Sequence, residues 1–174
     1  NSRDHEGRPT VGLVRVAEAL RIDGMLDEMH YERVPAMSGF IQIDPVPGAI
    51  ATEQTEVWLS FDDDNVYVSA RMHDSDMAHL VATEMRRDSS VIFQGNDIIS
   101  FMLDPFYDRR NGLVFTINPI AGRSHSQVTN ERQFIQDWYP VWSVKTARFE
   151  GGWTMEAAIA FKSIRYSTST DQVW

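Results

Sequence analysis

The stretch "TEVWLSFDDDNVYVSARM", residues 55–72, contains two runs in which apolar and polar side chains alternate, separated by three aspartates and an asparagine. Every second residue from Val57 to Phe61 is apolar, so these side chains share one face of an extended strand. Asp and Asn tolerate tight turns and hydrogen-bond the nearby backbone. The stretch therefore predicts a β-hairpin with strands at 55–61 and 65–72.

The same pattern recurs twice further along the chain. "NDIISFMLD" (96–104) leads through an Asn-Gly turn signal into "NGLVFTIN" (111–118), and "VWSVKTARFE" (141–150) leads through two glycines into "WTMEAAIAF" (153–161). Three hairpins with no long helix between them are typical of antiparallel sheets packed face to face. The sequence thus predicts an all-β fold, an antiparallel β-sandwich.

Helical signals are short. "LDEMHYERV" (26–34) predicts one or two helical turns, capped by Asp27 and ended by Pro35, and "FKSIRY" (161–166) predicts another turn. Neither segment is long enough to cover a sheet, so we expect one or two short helices beside the sandwich.

Composition excludes several classes of protein. The chain has 174 residues, about one domain by length, and its 16 Lys and Arg against 25 Asp and Glu give a net charge of −9. A nucleic-acid binder needs a basic face, so we expect no nucleic-acid partner. No run approaches the roughly 20 apolar residues that span a bilayer, and we expect no membrane insertion. The absence of cysteine excludes disulfides and thiol catalysis.

Catalysis by a carboxylate pair is not expected. Asp97 and Asp104 bracket one predicted strand, roughly 20 Å apart at a rise of about 3.3 Å per residue, so they cannot act on one glycosidic bond. Alternation places Glu156 on the strand face opposite Trp153 and Met155, where a sandwich exposes polar groups to water. No serine-hydrolase or phosphate-loop motif is present. We expect a binding domain and not an enzyme.

Two groups of acidic residues could bind a metal. Asp62, Asp63, Asp64 and Asn65 offer hard oxygen ligands like those of a calcium loop. The Gly and the bidentate Glu of an EF-hand are absent, so the hairpin turn is the better interpretation. Asp74 and Asp76 form a carboxylate pair in a loop, which could hold calcium. His73 and His79 have no third histidine near them in sequence, so a transition-metal site is not favoured.

Aromatic residues are the usual means of sugar binding, because the apolar face of a pyranose stacks on a ring. "QDWYPVW" (136–142) places Trp138, Tyr139 and Trp142 in a predicted loop, and Trp58 faces away from the apolar side of its strand. We expect these rings to be exposed and to contact a ligand. The alternative is that the loop tryptophans fold back over the core.

Four segments resemble, in order, the family 9 carbohydrate-binding modules. They are "LRIDGMLDE" (20–28), "TEVWLSFDDDNVYVSARMHDSD" (55–76), "NDIISFMLDPFYDRRNGLVFTINPIAG" (96–122) and "GGWTMEAAIAFKSIR" (151–165). The resemblance implies an immunoglobulin- or jelly-roll-type sandwich that binds sugars without cleaving them. It also implies that calcium is usual, which points to Asp74 and Asp76 as ligands, although no cofactor is required.

The family's sugar-contact positions are only partly kept. In its best-known members two tryptophans hold the end of a glycan. The first corresponds to Gln94, beside Phe93 and three positions ahead of the matching Asp97. Ser100 stands for a sugar-binding glutamate and Thr116 for an arginine, and the second tryptophan would lie beyond this chain. The resemblance therefore implies a site near Phe93, Gln94 and Asp97 that is built differently.

More narrowly, the chain is similar to the family-9-like domain at the N-terminus of bacterial proteins whose remainder is a predicted outer-membrane barrel of unknown function. This predicts an extension with a first strand at 1–19 and a sandwich at 20–174 that stops before its last strands. It implies an accessory domain of a larger cell-envelope protein, linked to glycan degradation. The protein would lie in the periplasm or at the surface of a Gram-negative bacterium, with a glycan and the barrel as partners. The alternative is a structural or protein-interaction sandwich that has lost the sugar site.

Overall fold

The computed structural model describes residues 2–3, 9–167 and 172–174. In this part of the chain nearly all regular structure is β-strand. The strands are β1 Ser2–Arg3, β2 Pro9–Thr10, β3 Val14–Arg15, β4 Thr55–Phe61, β5 Asn65–His73, β6 Ile99–Leu103, β7 Gly112–Ile117, β8 Arg123–Thr129, β9 Gln133–Ile135, β10 Trp142–Phe149 and β11 Gly152–Ala160. The helical elements are α1 Met29–Arg33 and two 3-10 turns, Ser90–Phe93 and Phe161–Ser163.

The chain divides into two compact units. The first comprises residues 1–78 and 143–158. It holds the small β1-β2 pair and the five-stranded sheet β10-β11-β5-β4-β3, except for Trp142 and residues 159–160 at the strand ends, which belong to the second unit. The second comprises residues 79–142 and 159–174, and it holds the four-stranded sheet β6-β7-β8-β9. The division into an extension at 1–19 and a sandwich beyond it stays a prediction.

The first unit is built around the predicted hairpin, which is confirmed. β4 and β5 pair antiparallel, with Val57 opposite Ala70 and Leu59 opposite Val68. Asp62 closes the turn: its Oδ1 accepts hydrogen bonds from the backbone N–H groups of Asp64 and Asn65, each at 2.7 Å. These carboxylate contacts are those of a turn and not of a metal site.

The Asp62 carboxylate also shows how the turn is stabilised. Its Oδ2 accepts a hydrogen bond from the hydroxyl of Tyr67. Burial raises the pKa of Asp62, but the hydrogen bonds from Tyr67, Asp64 and Asn65 outweigh it and hold the pKa below its ordinary value. The same contact, with burial as the larger cause, raises the pKa of Tyr67 to about 12.

The second unit is an antiparallel sheet with a regular register. Phe101, Phe115 and His125 lie opposite one another on β6, β7 and β8, and the rings of Phe101 and Phe115 stack at 5.3 Å. Phe115 and Ile117 are fully buried on this face. Because neighbouring residues in a strand point to opposite faces, the residues between them form the other face, which carries the candidate site.

The predicted helical turns are present, as α1 and as the 3-10 turn Phe161–Ser163. α1 begins after Glu28, and no side chain caps it; the carboxylate of Asp27 accepts a hydrogen bond from Arg21 at 3.0 Å instead. The prediction of Asp27 as the cap is therefore wrong. No helix in the described residues is long and apolar enough to cross a membrane.

Candidate functional site

A trough of about 350 Å³ lies on one face of the four-stranded sheet. Its floor is made of cross-strand partners: Ser100 on β6 lies opposite Thr116 on β7, which lies opposite Ser124 on β8. One step along, Val114 lies opposite Ser126. The strand register therefore places four hydroxyl side chains side by side around one valine.

The floor hydroxyls differ in their hydrogen bonds. Ser100 Oγ and Thr116 Oγ1 bond to each other at 2.7 Å. The hydroxyls of Ser124 and Ser126 have no hydrogen-bond partner within the described part of the chain. A ligand in the trough would thus find two hydroxyls that are free both to donate and to accept.

Two exposed phenylalanines border the trough. Phe93 ends the 3-10 turn at Ser90–Phe93 and is 54% exposed, and Phe134 on β9 is 65% exposed. Ser89 holds the turn in place, because its hydroxyl accepts a hydrogen bond from the backbone N–H of Val91 at 3.3 Å. The side-chain amide of Gln136 completes the lining. Exposed rings of this kind offer apolar faces to a ligand.

The trough is neutral. None of the described residues that line it is Asp, Glu, Lys or Arg. Its one histidine, His125, has a buried ring, and burial lowers the pKa of His125 more than the charge of Asp88 raises it. Glycoside hydrolysis needs two carboxylates on either side of the bond, and this lining supplies none.

Trp58 does not contribute to a binding surface. It is 5% exposed, its Nε1 donates to the carbonyl of Val34 at 2.9 Å, and its ring meets the edge of Tyr31 at 5.5 Å. The expectation of an exposed ring is wrong, because the segment around α1 covers this side of β4. The guanidinium of Arg71, 5.4 Å from the ring centre, packs on it as well.

The three aromatic residues of the loop 136–142 have different environments. Trp142 is 8% exposed and packs edge to face on Phe115 at 5.0 Å, so its predicted exposure is wrong and the alternative, folding back over the core, holds. Trp138 is half-buried, also against Phe115. Tyr139 is 73% exposed. Trp138 and Tyr139 line a second, larger cavity of the same unit and not the trough.

Asp97 and Gln94 lie near the trough without lining it. The Asp97 carboxylate accepts a hydrogen bond from the backbone N–H of Val81 at 2.6 Å, and its own N–H donates to the Val81 carbonyl at 2.8 Å. Asp97 therefore holds the loop that leads into β6. Gln94 is exposed next to Phe93, so of Phe93, Gln94 and Asp97 only Phe93 lines the trough.

The Asp74 and Asp76 loop does not have the side chains of a calcium site. Asp74 Oδ1 accepts a hydrogen bond from the backbone N–H of Asp76 at 2.7 Å, as in an ordinary turn. The described residues contain no group of three His, Asp or Glu placed to hold a metal ion, whereas calcium takes six to eight oxygen ligands. The side chains present do not fit this ion, and we assign it no role.

Glu156 is buried, contrary to the expectation that it faces water. It is 0% exposed, and its carboxylate accepts hydrogen bonds from Tyr31 Oη at 2.6 Å and from the backbone N–H groups of Gly24 and Asp23 at 2.8 and 3.1 Å. Burial raises the pKa of Glu156, and the three hydrogen bonds partly oppose this. The carboxylate therefore joins β11 to the loop before α1 and is not open to a substrate.

Several trough residues were not predicted from the sequence. β8 reads "RSHSQVT", which lacks the apolar alternation of a strand, so its sequence does not indicate Ser124 and Ser126 as site residues. The same holds for Phe134 and Gln136 just after it. The available signal was the period of two itself, serines at 124 and 126 followed by Val128, which all lie on one face.

The fold is similar to that of carbohydrate-binding modules of family 9, and this confirms the predicted sandwich and the resemblance at the level of fold. One solved structure is the family 9 module from Caldicellulosiruptor kristjanssonii in complex with cellotriose, at 18% identity and a TM-score of 0.55 over 85% of this chain. Another is a family 9 module from the same organism in complex with glucose, at 17% identity and a TM-score of 0.55 over 94% of this chain. The chain spans 66% and 72% of the length of these two modules. No protein-family model matches the chain, and no curated protein matches it.

Proposed function

We propose that this domain is a non-catalytic carbohydrate-binding module that holds a neutral glycan in the trough of its four-stranded sheet. The observation that carries the proposal is the lining of the trough. Two exposed rings, Phe93 and Phe134, border a floor of hydroxyl groups that carries no charge. The modules with a similar fold have cellotriose and glucose as their ligands.

The chemistry of a pyranose suits this lining. The C–H groups on one side of the sugar ring pack against an aromatic face, while its hydroxyls need partners that both donate and accept. Ser124 and Ser126 supply free hydroxyls, and Gln136 supplies an amide. The volume of about 350 Å³ is near the lower end of the range of small-molecule sites, which is roughly 300–1,000 Å³. The proposed ligand is therefore a short stretch of glycan.

The resemblance supports the same position. Ser100 and Thr116, which correspond to sugar contacts in the family, both line the trough, and Phe93 stands beside a third such position. The side chains here are smaller than those they replace, and the Ser100 and Thr116 hydroxyls already bond to each other. We therefore expect weak binding, with a Kd on the order of 1 mM.

Calorimetry with cellotriose and with glucose tests this proposal. We expect saturable binding of cellotriose that Phe134→Ala weakens about tenfold, because the variant removes a stacking surface and its contact area. Phe40→Ala is the control, since Phe40 is also an exposed phenylalanine but belongs to the other unit. Absence of binding at millimolar sugar, or an equal loss in both variants, would contradict the proposal.

The setting of the domain is proposed from the resemblance. It would be the accessory part of a larger cell-envelope protein that degrades or handles a glycan, joined to an outer-membrane barrel and placed in the periplasm or at the cell surface. The four matching segments support this setting. Fractionation of cells, with protease added to intact cells and to lysed cells, tests it: recovery of the protein with cytoplasmic markers would contradict it.

A second candidate function is docking to another protein. Residues 40–50 of the first unit expose Phe40, Ile41, Ile43, Val46 and Ile50, a larger apolar group than isolated surface residues form. Two results together would support this interpretation. The chain would bind no sugar, and a photo-crosslinker placed at Ile43 would capture the remainder of the same polypeptide. Sugar binding that depends on Phe134 would favour the first candidate.

A further inference from the structure

The second unit contains a cavity of about 820 Å³ that is distinct in its chemistry from the trough. Its lining includes the ends of β7 and β8, the loop 136–141 and the 3-10 turn Phe161–Ser163. The Ser163 hydroxyl accepts a hydrogen bond from the backbone N–H of Val141 at 2.7 Å, which joins the loop to the turn. The walls are therefore held together by a specific contact.

Three aromatic side chains line this cavity: Phe106, Trp138 and Tyr139. The Trp138 ring meets the edges of Phe115 and His125, each at 5.8 Å between ring centres, so its orientation is fixed by the core. Phe106 and Tyr139 are exposed. One fixed indole and two accessible rings provide stacking surfaces for a ligand with apolar faces.

Two cationic side chains, Lys162 and Arg165, line the same cavity. Within the described part of the chain neither forms an ion pair or a hydrogen bond. The lining includes one acidic residue, Asp137, so the cavity carries a net positive charge on a chain whose net charge is −9.

We propose that this cavity binds an acidic sugar, a glycan that contains uronic acid. Its pyranose rings would pack on Trp138 and Tyr139, and its carboxylates would pair with Lys162 and Arg165. A guanidinium matches a carboxylate with two parallel hydrogen bonds, and an ammonium adds a point charge. The site goes beyond the proposed function, because a neutral glycan in the trough contacts none of these residues.

Calorimetry at low salt with trigalacturonate tests the site. We expect saturable binding that the double variant Lys162→Ala, Arg165→Ala weakens about tenfold, as the sum of two exposed ion pairs. Added salt should weaken binding to the original chain and have less effect on the double variant. Phe134→Ala should leave this binding unchanged, which separates this site from the trough.

The matched control is Lys145→Ala, Arg148→Ala. These residues have the same types and the same spacing, both are exposed on β10, and neither lines the cavity. The proposal is overturned if trigalacturonate does not bind at millimolar concentration, or if both double variants weaken binding equally. It is also overturned if the neutral galactose trimer or triaspartate binds as tightly, since the cavity would then recognise the ring alone or the charge alone.

Discussion

Replacement of Glu156 by alanine removes the acceptor of three hydrogen-bond donors inside the first unit. The backbone N–H of Gly24 would lose its partner. The N–H of Asp23 would keep the carbonyl of Arg21 at 3.1 Å, and Tyr31 would keep Ser69, which lies 2.9 Å from its hydroxyl. A buried donor left without a partner costs about 1–3 kcal/mol. The Gly24 donor costs about 2 kcal/mol, and the hydrogen bonds that Asp23 and Tyr31 lose cost about 1 kcal/mol each. Relief from burying a carboxylate returns part of this, so we expect a loss of about 3 kcal/mol of unfolding free energy.

Glu156→Gln is the informative companion variant. The amide oxygen can accept from both N–H groups, and the amide nitrogen can donate to Tyr31 Oη, which then donates to Ser69. We expect this variant to lose less than about 1 kcal/mol. Urea unfolding followed by tryptophan fluorescence measures both variants. A loss in the alanine variant that is no larger than in the glutamine variant would refute the account of Glu156.

The pH dependence of stability, compared between the original chain and Glu156→Gln, provides an independent readout. Burial raises the pKa of Glu156, so the folded state holds this proton more tightly than the unfolded state does. The contribution of Glu156 to stability is therefore greatest below the ordinary carboxyl pKa and declines as the pH rises through the folded-state pKa. Glu156→Gln should lack this decline. An unchanged pH profile in the variant would contradict the assignment.

Three further variants test other parts of the fold. Gly24 has a φ of +90° and a Cβ there would lie 2.6 Å from the carbonyl carbon of Thr146, so Gly24→Ala should cost about 3 kcal/mol in urea unfolding. Gly48→Ala, at φ +84° with open space around it, should cost only about 1 kcal/mol, and equal losses would show that Thr146 is not the cause. Glu84 accepts hydrogen bonds from Arg86, and these hold the pKa of Glu84 at about 2, below its ordinary 4.5. The stabilising contribution of Glu84 is present above pH 4.5 and is lost as the pH falls toward 2. The unfolding free energy of Glu84→Gln should therefore depend less on pH in that window than that of the original chain. Identical pH profiles for the two proteins would contradict this.

The hairpins were predictable because their signals are local. Nineteen residues contain both the alternation in β4 and β5 and the turn built on Asp62. The contacts that form this hairpin are made between residues close in sequence. The polar strand β8 was missed for the converse reason. Its backbone pairs with β7 and β9, and this pairing does not require the apolar alternation that marks a strand in a sequence.

The wrong predictions at Trp58 and Glu156 share one physical cause. In both cases the alternation correctly assigned the strand face, but that face is covered and not exposed. The cover comes from the loop and helix between Asp23 and Val34, which contact Trp58 and Glu156 across 24 to 133 positions in sequence. Periodicity within a strand carries no information about which distant segment packs on it.

The candidate site was predictable only in part. Phe93 was expected from the resemblance and borders the trough, while Trp142 was expected from its loop and belongs to the core. Phe134 had no signal, since β9 has only three residues and a strand this short shows no recognisable alternation. Its place at the trough follows from its pairing with Val128, which lies on the same face as Ser124 and Ser126.

Binding of a neutral glycan by the trough is the central claim, and its most direct test is an NMR titration with cellotriose, read from the backbone amide shifts. The account predicts saturable shifts at millimolar sugar that centre on Phe93, Thr116, Ser124 and Phe134. Shifts confined to other residues, or none at these concentrations, would contradict it.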